Sequence, residues 1–144
     1  MTEIQQLEEE FLAGTLAPIQ RDLEAFLRTN RDKILEFKRR QVDVLGPNPD
    51  AAALAVKWYI LEVKCINPVE EIRSELGEIE REIWYEGERQ KRTADRLEVA
   101  REWCRRHAPG WRDHRVMTII FVFEREKSRY LKILEGGNGE PPSN

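Results

Sequence analysis

Along nearly the whole of this chain apolar residues return every three or four positions, and strict alternation of apolar and polar residues is sustained nowhere. That period lays apolar side chains along one stripe of an α-helix, whereas a half-buried strand needs a period of two. The one exception is the run VMTIIFVF at 116–123, whose β-branched and aromatic residues favour a buried strand by propensity. A lone strand would leave its backbone N–H and C=O groups without partners, and no second run of this kind exists to pair with it. The chain is therefore expected to be all-α, a single-domain bundle of about five helices. The ambiguous run becomes the middle of a last helix at 111–134, where Tyr130 and Leu134 continue the face of Val116, Ile119 and Phe123.

Capping chemistry divides the rest. A short helix at 3–13 places Ile4, Leu7 and Phe11 on one face and stops near Gly14; Thr15 is positioned to cap the second helix, with Pro18 tolerated in the first turn. The next apolar seam runs over 16–45, either as one helix or as two with Asn30 capping the second, and Gly46-Pro47-Asn48-Pro49 ends it. Asp50 is the expected cap of a helix at 51–66, which is apolar around most of its circumference and so reads as the spine of the core. Asn67 followed by Pro68 opens a further helix whose seam is Val69, Ile72, Leu76, Ile79 and Ile83. Thr93 or Asp95 caps the next one, with Leu97, Val99, Ala100, Trp103, Cys104 and His107 on a broad face before Pro109 and Gly110. The bundle spans 1–135, and residues 136–144, rich in Gly and Pro with no apolar anchor, are expected to be a disordered tail.

A length of 144 residues suffices for one core that buries about two thirds of the unfolded chain's surface. A net charge of −3 is far from the balance of a dedicated nucleic-acid binder, so any basic surface has to be local. Cys65 and Cys104 lie in apolar-patterned segments rather than a spaced framework and are read as buried, reduced thiols. The N-terminus lacks the cationic and apolar regions of a signal peptide, and the most apolar stretch carries Lys57, Glu62 and Lys64 and is shorter than the ~20 residues needed to cross a bilayer. A cytoplasmic protein with no membrane role is expected.

Charge is unevenly distributed. Residues 67–88 hold eight acids and two bases, a balance of −6, and residues 89–115 hold nine bases and four acids, a balance of +5. Consecutive helices of opposite sign are suited to lie against each other. Glu71, Glu75, Glu78, Glu82 and Glu86 form a stripe a quarter turn from the apolar seam, read as a solvated or salt-bridged flank, since a di-iron site would require Glu-x-x-His pairs that are absent. Cys104, His107 and His114 are three side chains that suit zinc but lack a fourth with proper spacing. No strand-turn-helix elbow surrounds a serine and no glycine-rich loop could cradle a phosphate, so neither a cofactor nor a metal is expected.

Aromatic, cationic and titratable groups converge at 102–115, where Arg105, Arg106, His107, Trp111, Arg112, His114 and Arg115 come after Trp103. Arginine forks grip phosphates or carboxylates and tryptophan faces stack on bases, so this stretch is a candidate anion site unless the acidic helix neutralises it. Three functions are consistent with these features, in order of expectation. The first is a non-enzymatic helical interaction or regulatory module, partnered by itself or another helical protein through Val69, Ile72, Leu76, Ile79, Ile83, Ile119 and Phe123. The second is a nucleic-acid or phosphate-ligand binder using the basic stretch, and the third a small enzyme acting on an anion with His107 or His114 as acid-base.

Overall fold

A computed structural model describes residues 2–136 and is all-α, with no strand among them. The number of helices is eight in these residues rather than about five. They fall into two compact units: residues 2–66 with 116–136, and residues 67–115. The expected tail lies, beyond Gly136, outside the described residues.

The first unit begins with α1 (Glu3–Leu12), closed by a capping box in which the Thr2 hydroxyl accepts from the Gln5 amide at 3.1 Å and the Gln5 side chain accepts from the Thr2 amide at 2.8 Å. Gly14, at φ +81°, turns the chain out of it. Helix α2 (Ala17–Thr29) starts from Leu16 without a side-chain cap, so Thr15 does not play the part expected of it. Of the two alternatives for the seam at 16–45 the structure has two helices, and α3 (Arg31–Leu45) comes after α2 with the single residue Asn30 between them. Asn30 is not a side-chain cap but a bridge: its Nδ2 donates to the Phe26 carbonyl at 2.9 Å and its Oδ1 accepts from the Tyr59 hydroxyl at 3.1 Å.

Helix α4 (Ala51–Val63) ends three residues earlier than its apolar pattern suggests, and Asp50 makes no side-chain cap bond. It is also not surrounded. Ala51, Ala53, Ala55, Val56 and Ile60 are buried, whereas Leu54, Trp58 and Leu61 face solvent. Three of the five buried residues are alanines, whose small side chains allow neighbouring helices to approach closely.

The last segment is split. Helix α7 (Ala108–Arg125) and α8 (Lys127–Leu134) are separated by Glu126, so a single helix at 111–134 is corrected to two. The run at 116–123 is helical as expected, and it lies in the core: Val116, Ile119, Val122 and Phe123 are buried with Leu23, Leu27, Ile34, Ile60 and Tyr130. Apolar residues on several sides of a helix are stable where other helices surround it. The turn at Glu126 brings Tyr130, Ile133 and Leu134 of α8 into the same core, and the Glu126 carboxylate accepts from Gln20 at 2.7 Å and Arg129 at 3.0 Å.

The second unit contains α5 (Pro68–Gln90), capped by Asn67 with Pro68 at its first position as read, and α6 (Arg96–Arg106), where Asp95 rather than Thr93 caps by accepting from the Glu98 amide at 3.2 Å. The two helices pack together. Residues 108–115 of α7 complete this unit. No helix among the described residues is long and apolar enough to cross a membrane.

Candidate functional site

The basic-aromatic stretch sits where α6 passes into α7. His107 closes α6, its amide donating to the Trp103 carbonyl at 2.8 Å, and the Trp111 amide donates back to the His107 carbonyl at 2.9 Å. Pro109 falls in the first turn of α7, where a missing N–H costs nothing, so the segment expected to end a helix also begins one. Trp103 is buried and its ring meets that of Trp111 edge to face at 6.3 Å.

The cations around these rings do not converge on a common point. Arg105 donates to Glu102 at 2.6 Å and Arg106 pairs with the same carboxylate. The Arg105 hydrogen bond, followed by the charges of Arg105, Arg106 and His107, holds the Glu102 carboxyl below its ordinary pKa against an opposing effect of burial. Arg112 reaches back to Glu75 on α5 at 2.8 Å, and that hydrogen bond with the attraction of Glu75 and Glu71 raises the guanidinium pKa. Arg115 stacks on Trp111, its guanidinium carbon 5.5 Å from the ring centre. His107 and His114 are exposed. Four arginines therefore have partners of three separate kinds: Glu102, Glu75 and an indole.

A groove of about 640 Å³ lies along α5 and α6, with Glu82, Glu86 and Arg89 on one wall and Glu98, Glu102 and His107 on the other. Its acids and arginines are largely engaged with each other; Arg89 alone binds Glu82 at 3.0 Å and Glu86 at 2.5 Å. Such a wall is electrostatically self-satisfied and offers no concentrated field to a charged ligand. Cys104 is exposed rather than buried, Cys65 is half-buried, and the two are not joined by a disulfide. Among the described residues no three His, Cys, Asp or Glu side chains are grouped to hold a metal ion.

The apolar seam behaves differently from its expectation. None of the 23 residues of α5 is buried. Its acidic stripe is on the covered side, with the Glu75 side chain only 16% exposed, while the apolar residues look outward, Val69 at 65%, Ile72 at 58% and Leu76 at 57%. Ile79 and Ile83 are partly covered. The helix is thus an inverted amphipath: its acidic flank is the covered one, with Glu75 paired to Arg112 of α7, and the Val69, Ile72 and Leu76 part of its apolar stripe is left in water. Trp84, 61% exposed, adds an aromatic ring to the outward side; it lies off the regular three-and-four seam, so the periodicity does not single it out. Ile119 and Phe123, expected on a contact surface, are 1% and 0% exposed in the first unit and cannot serve there.

The chain matches no known protein-family model, and no curated protein or solved structure is significantly similar to it.

Proposed function

We propose that this protein is a non-enzymatic helical interaction module that docks a partner on the outward face of α5. The observation that carries the reading is the inversion of that helix. A 23-residue helix gains most of its stability from burying an apolar stripe, and here the stripe of Val69, Ile72 and Leu76 is the part left open. Contiguous exposed apolar surface on one element marks an interaction site. The nucleic-acid reading has less support, because Arg105 and Arg106 share Glu102 and Arg112 is committed to Glu75. A reducing, cytoplasmic setting suits the two cysteines, which are not joined by a disulfide.

The test is the double variant Ile72→Asp with Leu76→Asp. If the face is kept for a partner, its chemical-denaturation stability stays within about 0.5 kcal/mol of the parent, as for a surface substitution. The enhanced fluorescence of anilinonaphthalene sulfonate bound to the parent falls in the variant. A loss of several kcal/mol would mean that the seam is covered within the molecule and would end this reading.

A further inference from the structure

We infer that α8 is an exchangeable arm: the chain straightens at Glu126, α7 and α8 become one helix, and two copies trade their α8 helices, each filling the seat the other has left. The inference is independent of the docking reading, because the elements it uses all belong to the first unit.

The seat and its occupant are both in view. Helix α8 packs on α2, α3 and α4, and its Tyr130, Ile133 and Leu134 are buried with Leu27, Ile34 and Ile60. A sharp break in a helix usually has a local cause, such as a proline, a glycine or a group inserted into the hydrogen-bond ladder. The residues around this one, Glu124-Arg125-Glu126-Lys127-Ser128-Arg129, include neither proline nor glycine and are mostly good helix formers. The apolar stripe of Val116, Ile119 and Phe123 also continues in register to Tyr130 and Leu134, as one uninterrupted helix would carry it. Yet Glu126 sits at φ −129° and ψ 38°, outside the helical range, and its side chain makes no cap bond. A continuous helix would bond the Arg129 amide to the Arg125 carbonyl; here that amide donates to the Glu126 carbonyl at 3.0 Å. Local sequence thus favours one helix, and the docking of α8 is what imposes two.

Exchange between copies keeps the docking and removes the break. Both forms bury the same α8 side chains in the same seat, and the pair of Arg129 with Glu24 of α2, at 2.8 Å, is re-formed between the two chains. The forms differ at the hinge. Only the closed chain holds the Glu126 carboxylate against Gln20 of α2, at 2.7 Å, whereas the exchanged pair gains helical hydrogen bonds across Glu126 in each copy. Short hinges invite exchange of this kind, and this hinge is a single residue.

Size-exclusion chromatography with light scattering, after incubation over a concentration series, reads the exchange as a species of twice the 17.0 kDa mass of the chain. Glu126→Ala and Glu126→Gly lose the same carboxylate and differ in helix preference at both hinges of the dimer, so the alanine variant should dimerise roughly tenfold or more tightly than the glycine variant. Gln20→Ala removes a bond that only the closed chain makes and should raise the dimer fraction above that of the parent. Glu24→Ala removes one that both forms make and should leave the fraction unchanged. An exchanged dimer cannot revert without drawing α8 out of a core, so after dilution it returns to monomer slowly, and it forms equally well in the Ile72→Asp, Leu76→Asp background. Thermal melts check that each variant is folded. Equal dimerisation of the alanine and glycine variants, no dimer in any of these proteins, or a dimer that dissociates at once on dilution overturns the inference.

Discussion

The Tyr130 phenol is fully buried beneath the turn at Glu126, and its oxygen lies 3.4 Å from the Glu126 carboxylate with the Arg129 guanidinium carbon 5.1 Å from its ring. Burial is the main reason its pKa is pushed well above the ordinary 10.0; nearby Arg129 opposes the shift and Glu126 adds to it. For an acid whose pKa rises on folding, the contribution to stability is complete below the unfolded value and declines as pH climbs above it. Stability should therefore fall between neutral pH and pH 11 by an amount that Tyr130→Phe abolishes. That variant, which keeps the ring and loses the hydroxyl's two long hydrogen bonds, to Glu126 and from Arg129, should cost about 1 kcal/mol at pH 7. Urea titrations of both proteins at the two pH values measure the difference, and equal losses at high pH would contradict it. Asn30 makes a related point. Its side-chain type marked a helix boundary in the sequence, but that its amide also ties α4 through Tyr59 required the two helices to be in place.

At the scale of elements, start and stop signals differ in what they do. Asp95 and Asn67 accept bonds from the amides three residues on, as their types promise, whereas Asp50, the same residue type at an equally convincing position, has non-capping backbone angles of φ −96° and ψ 10°. Asp95→Ala should cost about 1 kcal/mol, seen as a lower denaturation midpoint, and Asp50→Ala less than about 0.5 kcal/mol. Equal costs would show that α4 is capped in solution after all. The inverted amphipathicity of α5 belongs to this scale too. Its periodicity was plain from Val69 to Ile83, but periodicity locates a stripe and says nothing of the direction in which the stripe points.

Across the whole molecule, the apolar core belongs to the first unit, where Leu23, Leu27, Ile34, Val122 and Phe123 are buried. In residues 67–115 the buried side chains are Trp103 and Ala108, and acids of α5 meet arginines of α6 and α7 in the exposed Glu80–Arg96 pair and the partly covered Glu75–Arg112 pair. The opposite charge balances of 67–88 and 89–115 anticipated this. The double variant Arg105→Ala with Arg112→Ala leaves Glu75 without its partner in a largely covered position, and should lower stability by about 1 kcal/mol. Because these arginines are internally committed, the parent should show no salt-dependent binding to a single-stranded oligonucleotide, measured by fluorescence anisotropy at two salt concentrations. Tight binding whose salt slope drops in the variant would restore the anion-site reading.

Helical class and the boundaries near Gly14, Gly46 and Asn67 were legible from residue order, because helix propagation and capping act between residues at most four apart, whereas residue order left open one helix or two over 16–45 and Thr93 or Asp95 as a cap. The helical state of 116–123 was legible too, since strand pairing needs a second strand and none was encoded. The exposure of Cys104, the burial of Ile119 and Phe123, the break at Glu126 and the outward turn of Val69, Ile72 and Leu76 depend on which surfaces meet. Residues far apart in the chain compete for the same interior, and a helical stripe is compatible with any neighbour that covers it. Only the packed arrangement selects among those neighbours, and here it buries the seams of α2, α7 and α8 and leaves Val69, Ile72 and Leu76 of α5 exposed.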